Sequence, residues 1–324
     1  MTKEEILNGI HELLSKNVIG GAQMMARYKG FRGELFFENF LSEKYPVFKI
    51  LEGGIIMSKN STKTSLDNSM YFTVLPDTSD LGDYKNIYKA LSNIGFMEMY
   101  IILYADDWQE KEVMKFETET ISLKVPSLKI LKFDAQQNEF IETNNDVKNV
   151  TGFLEDLPKR GKNQYAIEPD CKEWLIANLS QFSEKQLLKI YMDRLFFDGF
   201  IGFSKNKGKS SDIDLILIRP TGEYRFIEIK EKDLPKSNQG FGLDVPRLED
   251  LGRIQEQSSI EYYLAVRHIN NQEDRELIGW KYISITEFEK DVKGNKTIEG
   301  GTGMRSSYSS NPTLICSLSK FRNL

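Results

Sequence analysis

The residues best placed to do chemistry are Asp214 and, fourteen residues further on, the triplet Glu228-Ile229-Lys230. Both segments alternate apolar and polar residues as strands do, and the turn 220–222 between them predicts a hairpin. Since side chains alternate across a strand, Glu228 and Lys230 share one face, which Asp214 on the partner strand can reach. Two carboxylates and an ammonium group are therefore predicted to converge at the edge of an apolar sheet.

This arrangement suits metal-assisted cleavage of phosphodiester bonds. Mg²⁺ prefers oxygen ligands, usually one or two carboxylates completed by water and substrate phosphate. A bound metal lowers the pKa of a water molecule and neutralises charge in the transition state. Lys230 is expected first to orient the attacking water and stabilise the phosphorane oxygens. Because an ordinary lysine pKa is about 10.4, a role as general base needs desolvation or a neighbouring cation.

The acid-x-lysine triplet carries little information by itself, because it occurs five times, starting at Asp83, Asp146, Asp170, Glu228 and Asp291. The Glu228 copy differs from the others in lying inside a clear strand, directly after a hairpin partner with its own acid. The alternative interpretation is a solvated hairpin edge on which both polar residues face water. The sequence 212–214, which enters an apolar strand straight after a lysine-rich loop, favours the catalytic interpretation.

Composition removes many other chemistries. The chain has two histidines, His11 and His268, each in an amphipathic or apolar segment, so clustered-histidine sites are excluded. Cys171 and Cys316 lie far apart without metal-ligand spacing. Nucleophile-elbow, Walker and dinucleotide-binding motifs are absent. With no long apolar run and no hydrophobic N-terminal segment, no membrane association and a cytoplasmic location are expected.

The run 211–215, the spacing and the segment 226–230 resemble the PD-(D/E)xK nuclease superfamily, which includes most type II restriction endonucleases. The resemblance covers about residues 165–290, in the order helix, strand with Asp, strand with ExK, helix, strand. It implies that Asp214 and Glu228 bind Mg²⁺ together with the backbone carbonyl of Ile229, and that products carry 5′-phosphate ends. Ile213 stands where many members of the family have proline.

The resemblance also suggests auxiliary residues. The family often carries an acid on its first core helix, and Asp193 is favoured here over Glu184 and Asp198. Gln255 on the following helix is a possible auxiliary polar residue, with a solvated position as the alternative. Basic residues in the loop before the first catalytic strand are candidates for DNA contacts, or equally for a soluble loop: Lys205, Lys207 and Lys209.

The chain is predicted to be α/β with two domains. Helices are expected over 3–17 and about 31–43, and a strand over 280–285. Residues 161–324 are expected to form a PD-(D/E)xK core, a mixed central sheet flanked by helices. Residues 1–160 are expected to form a mixed α/β domain for DNA recognition or dimerisation. The segment 157–164 has the Pro, Gly and charge content of a linker. An echo between 35–40 and 195–200 raises the possibility that the first domain is a decayed nuclease-like duplicate.

The function expected from these features is Mg²⁺-dependent endonuclease action on double-stranded DNA by a type II restriction enzyme. The net charge of −5 argues against binding by bulk electrostatic attraction, so affinity is expected from shaped contacts. A homodimer and a cognate DNA methyltransferase are expected by analogy. The alternatives are a repair or defence-effector nuclease and a non-catalytic nucleic-acid-binding module on a nuclease-like scaffold.

Overall fold

A computed structural model describes residues 1–16, 21–59, 66–115, 120–157, 169–202, 209–234, 239–299 and 311–324. The chain divides into two compact units, each made of segments that are distant in sequence. Unit 1 comprises residues 1–28 and 54–211, and unit 2 comprises residues 29–53 and 212–324. Both are α/β.

Helices and strands alternate along most of the chain. The α-helices are α1 (Lys3–Ser15), α2 (Gly21–Lys44), α3 (Gly82–Leu91), α4 (Lys148–Thr151), α5 (Pro169–Leu179), α6 (Glu184–Arg194), α7 (Val245–Ser258) and α8 (Ile285–Val292). The strands are β1 (Lys49–Ser58), β2 (Ser69–Pro76), β3 (Glu98–Tyr104), β4 (Gln109–Lys115), β5 (Thr120–Val125), β6 (Leu128–Asp134), β7 (Glu139–Glu142), β8 (Lys209–Ile218), β9 (Tyr224–Lys232), β10 (Gly240–Asp244), β11 (Tyr262–Ile269), β12 (Leu277–Ser284), β13 (Ile298–Glu299), β14 (Pro312–Ser317) and β15 (Arg322–Asn323). A π-helical segment, Leu195–Ile201, continues α6.

Unit 1 holds a mixed sheet in the order β1 (its second half), β2, β3, β6, β7. The β2–β3 pair is parallel and the other neighbours are antiparallel. Helix α1 begins with a capping box, in which Thr2 accepts from the amide of Glu5 while the Glu5 carboxylate accepts from that of Thr2. Its apolar stripe packs against α5 and α6.

In unit 2 the strand order is β15, β12, β11, β9, β8 and the first half of β1. Strands β9 and β11 run parallel, and the helix between them is α7. The β8–β9 and β11–β12 pairs are antiparallel. A smaller sheet in the same unit has the order β10, β14, β13.

The face of the unit 2 sheet that carries Leu215 and Ile229 packs on the second half of α2. This core is apolar and aromatic, and its buried members are Phe37, Leu41, Leu215, Leu217, Ile227, Ile229, Ala265 and Trp280. Each leucine, isoleucine or phenylalanine side chain of this core stabilises the fold by roughly 1.5–3 kcal/mol when it is fully buried. Because alternate residues of a strand face opposite ways, this packing directs Asp214 and Glu228 to the other face.

The predicted hairpin 212–230 is confirmed as the antiparallel pair β8–β9, and the predicted helix over 3–17 is confirmed as α1. The helix expected over 31–43 is longer, since α2 starts at Gly21. Strands β4 and β10 and helix α8 were not predicted. Helix α8 follows directly on β12, where the sequence pattern had indicated only a strand.

The predicted domain boundary at 160/161 lies outside the described residues, and that division stays a prediction, as does the duplication. In the echo, residues 35–40 are α-helical and 195–200 are π-helical. Over the described parts of the chain, no helix combines the length and apolar content needed to cross a membrane.

Candidate active site

The candidate site lies where β8 and β9 part. Their ladder pairs Leu217 with Arg225 and ends at Leu215 and Ile227. One step further, the amide of Ile229 donates to Asp214 Oδ2 at 2.6 Å, so a carboxylate takes the place of a ladder carbonyl. The separation of the two strands therefore creates room for the Asp214 side chain at the edge of an otherwise apolar pair.

Gly53 of β1 explains how β8 can turn away at this point. A Cβ built on Gly53 would lie 1.6 Å from the carbonyl oxygen of Ile213, the residue before Asp214. Such a contact with backbone is impossible, so only glycine permits β1 to approach β8 here. The close approach fixes the stretch of backbone from which Asp214 projects.

Three carboxylates meet at this point: Asp212, Asp214 and Glu228 can each offer an oxygen within 4.8 Å of the others. We call these three residues the acidic cluster. Asp212 is exposed, Asp214 is half-buried and Glu228 is fully buried. Carboxylates this close repel one another, and the local fold must supply positive charge to hold them.

Two cations bind Glu228. Lys230 Nζ lies 2.6 Å from Glu228 Oε1, as expected for side chains that share a strand face. Arg247 Nε donates to the same oxygen at 3.0 Å, and Arg247 Nη2 donates to Oε2. The arginine thus grips the carboxylate with two donors, the strongest arrangement for such a pair.

Arg247 also binds β8. Its Nη2 donates to the backbone carbonyl of Asp212 at 2.8 Å and to Asp212 Oδ1 at 3.2 Å. It stands in the first turn of α7. Sequence reasoning missed this residue. A signal existed, because a cation in the first turn opposes the helix dipole and therefore indicates an anionic partner.

The surrounding charges shift the pKa values of Glu228 and Asp214 in opposite directions. Burial alone raises the pKa of Glu228, but Arg247 and Lys230 outweigh it and bring that pKa to about 2. Burial and the charge of Glu228 raise the pKa of Asp214 well above its ordinary value. Burial lowers the pKa of Lys230, but Glu228 and Asp214 outweigh it and raise that pKa above the ordinary range. Lys230 is therefore an ammonium ion at neutral pH.

Tyr262 borders the cluster and was also missed. It is fully buried on β11, with its ring centroid 5.6 Å from that of Phe226. Within the described part of the chain its hydroxyl has no hydrogen-bond partner. Burial raises its pKa well above the ordinary value, Arg247 opposes that shift and Glu228 adds to it.

The auxiliary residues fall in different places. Gln255 accepts from the amide of Tyr262 at 2.9 Å and donates to Thr286 Oγ1 at 2.8 Å, so it fastens α7 to the start of β11. Asp193 lies in unit 1 on α6, where burial and, to a smaller extent, the charge of Asp193 raise the pKa of Tyr71. In unit 2, the helix acid whose charge raises the pKa of Asp214 is Glu34 of α2.

The structure does not describe the side chains of the three lysines that are predicted to contact DNA. Lys205 and Lys207 lie outside the described residues. Lys209 begins β8, and only its backbone is described. The proposed role of all three in DNA contacts stays a prediction.

No protein-family model matches the chain, and no curated protein matches it in sequence. Among solved structures, the chain is similar to Hjc, a Holliday junction resolvase from Archaeoglobus fulgidus, at 12% identity over 34% of this chain and 68% of that one. The TM-score is 0.21.

Proposed function

We propose that this chain is a metal-dependent nuclease that hydrolyses phosphodiester bonds of DNA, with Asp214, Glu228 and Lys230 as its catalytic residues. The observation that carries the proposal is the convergence of these three side chains where β8 and β9 part. A solvated hairpin edge, the alternative interpretation, does not require a fully buried Glu228 held by two cations. Buried charges held in this way are concentrated at functional sites.

The donor set fits a hard divalent cation. Each carboxylate oxygen can accept about two bonds, so Glu228 Oε2 and Asp214 Oδ1 keep acceptor sites that no described residue fills. The carbonyl of Ile229 points to the same side of β9 as its amide, which already reaches Asp214. All of these donors are oxygens, which favours Mg²⁺ over softer metals.

The chemistry divides between the metal and the chain. When bound to Asp214, Glu228 and the Ile229 carbonyl, Mg²⁺ would supply Lewis acidity and lower the pKa of water. Lys230, held as an ammonium ion, orients the attacking water and stabilises negative charge on the phosphate oxygens. Glu228 and Asp214 outweigh burial and raise the pKa of Lys230, which favours this role over that of a general base. Arg247 positions Glu228 and keeps it ionised in a buried place.

The finer assignment is a type II restriction endonuclease that acts as a homodimer in the cytoplasm, cuts double-stranded DNA at one short motif, leaves 5′-phosphate ends and works beside a cognate methyltransferase. It rests on the sequence argument that 324 residues exceed what the catalytic elements need. The acidic net charge further indicates that affinity for DNA comes from shape-complementary contacts and not from bulk electrostatic attraction.

Incubation with plasmid and viral DNA tests both levels. We expect cleavage with Mg²⁺ or Mn²⁺, binding with little cleavage in Ca²⁺, and none in EDTA. Digestion of viral DNA should give discrete bands, and end sequencing should show one motif at every cut. Full activity in EDTA would eliminate the proposed site. A uniform smear, or a preference for RNA, would refute the restriction enzyme and leave the nuclease standing.

A further inference from the structure

A second charged group surrounds Glu231, which faces the side of β9 opposite to Glu228 and Lys230 because it follows Lys230 directly. That side packs on α2, and a Cβ on Gly33 of α2 would lie 3.7 Å from the Glu231 Cβ. Residues Lys29, Arg32, Gly33 and Phe36 are spaced i, i+3, i+4 and i+7, so they form one stripe of the helix. This stripe therefore lies over Glu231.

Two arginines bind the Glu231 carboxylate. Arg267, its register partner on β11, donates from Nη1 to Glu231 Oε2 at 2.6 Å, and Arg275 Nη2 donates to Oε1. The side chains of both arginines are 7% exposed and that of Glu231 is 5% exposed. Arg267 Nη1 also donates to the carbonyl of Arg275 at 3.2 Å, and Gln272 accepts from Arg275 Nη1 at 2.8 Å.

A third arginine lies beside them. The guanidinium carbons of Arg32 and Arg267 stand 5.1 Å and 4.9 Å from the centroid of the same Phe36 ring. Among the residues that the structure describes, Arg32 Nε and Arg275 Nε are buried donors with no acceptor. Lys29 stands one turn before Arg32 on the same stripe and is half-buried.

Lys29, Arg32, Arg267 and Arg275, which we call the basic cluster, thus place four cations around one carboxylate. The pKa of Arg32 is lowered by burial and then by Arg267. The pKa of Lys29 is lowered by burial and then by Arg275. Four cations share the single carboxylate of Glu231 in a partly dry place and keep unused donors, so a further anion would stabilise them.

We propose that the basic cluster binds a phosphate group, and that in the proposed nuclease, on which this assignment rests, the group is a backbone phosphate of the DNA. Lys29 and Arg32, the half-buried members, make the contact. Arg267 and Arg275 supply charge behind them and are fixed by Glu231. Guanidinium forks and ammonium groups are the ordinary partners of phosphate oxygens.

The first experiment measures binding of inorganic phosphate by calorimetry to the full chain, without DNA or metal. We expect binding to the parent chain and a loss of about tenfold in affinity in Lys29→Ala and in Arg32→Gln. Arg32→Gln keeps much of the contact with Phe36, and circular dichroism checks that each variant folds. The matched control is Lys44→Ala, the same change on the same helix in its last turn.

The second experiment measures duplex DNA affinity against salt in an Asp214→Asn background, in which we expect no cleavage. Removing one phosphate contact should lower the slope of log affinity on log salt by about 0.9, with Lys44→Ala unchanged.

The two experiments separate the possible failures. A parent chain that binds no phosphate, or variants that bind it as well as the parent, overturn the site. Phosphate binding lost in the variants with an unchanged salt slope overturns the DNA assignment and leaves a site for a free oxyanion. Phosphate binding without any DNA binding by the parent chain counts against the proposed nuclease and not against the basic cluster.

Discussion

The acidic cluster and the basic cluster stand on opposite faces of one strand, β9, with Glu228 and Glu231 three residues apart. Both glutamates are buried and each is held by two cations. Around Glu228 stand two further carboxylates, Asp212 and Asp214. Around Glu231 stand two further cations, Lys29 and Arg32.

The difference shows that a buried ion pair by itself does not reveal its purpose. What separates the clusters is the charge left over after the pairs are formed. On one face the excess is carboxylate oxygen, which favours a metal cation. On the other face the excess is guanidinium and ammonium, which favours an anion such as phosphate.

The largest expected effect is on cleavage. Asp214→Asn, Glu228→Gln and Lys230→Ala should each lower the rate of DNA cleavage by at least about a thousandfold, because each removes charge that acts at the transition state. Gel assays on plasmid DNA measure this rate. The control is Asp291→Asn, a decoy acid-x-lysine whose carboxylate accepts from the amide of Ser317 at 2.9 Å. An inactive decoy with an active Glu228→Gln would show that the wrong motif was chosen.

The second effect is on stability and compares the two glutamates directly. Glu231→Gln should cost about 3–5 kcal/mol of unfolding free energy, because it leaves two buried arginines without a counter-charge. Glu228→Gln should cost less, since it also removes the repulsion that raises the pKa of Asp214. Urea unfolding measures both variants. A greater loss in Glu228→Gln would mean that the surplus charge was assigned to the wrong face.

The third effect concerns the backbone that presents Asp214. Gly53→Ala should cost about 1–3 kcal/mol and slow cleavage, because the added Cβ would displace the Ile213 carbonyl. The matched control is Gly279→Ala on β12, where a Cβ would meet nothing within 4 Å. Equal unfolding free energies for the two variants would contradict the close approach of β1 and β8.

The smallest effect is the pH dependence of stability without metal. Glu228, whose pKa falls to about 2 on folding from 4.5, contributes stability that is present above pH 4.5 and lost as the pH falls towards 2. Asp214 has the opposite sign: its pKa rises on folding, so its ionisation destabilises the fold as the pH rises above its ordinary value of 3.8.

We therefore expect the melting temperature of Asp214→Asn to rise relative to that of the parent chain between pH 4 and pH 7, the interval above the ordinary Asp pKa. Added Mg²⁺ should stabilise the parent chain and not this variant, because ligand binding raises stability by mass action. A parent chain that Mg²⁺ leaves unchanged at neutral pH would speak against a metal site at Asp214.

The hairpin, and the side chains that share one of its faces, could be predicted from the sequence alone. Alternation in 212–218 and 224–230, with a turn at 220–222, predicts which residues point together, and β8 and β9 do pair as an antiparallel hairpin. These are local rules with a period of two residues, so they can be read without knowing the fold. The interpretation of Glu228 and Lys230 as one pair depended only on them.

The partners of those residues were decided by tertiary structure. Arg247 reaches Glu228 from nineteen residues away, and the stripe of α2 that meets Glu231 lies about two hundred residues earlier. Asp193 was favoured as the helix acid because the family resemblance suggests an acid on the first core helix. In unit 2 the helix acid whose charge adds to the raised pKa of Asp214, after burial and Glu228, is Glu34 of α2. Contacts between distant segments follow from how helices cover a sheet, and no periodicity in one chain records them. The sequence therefore determined which groups could act, and only the packing of α2 and α7 on the two faces of β9 decided which charges surround them.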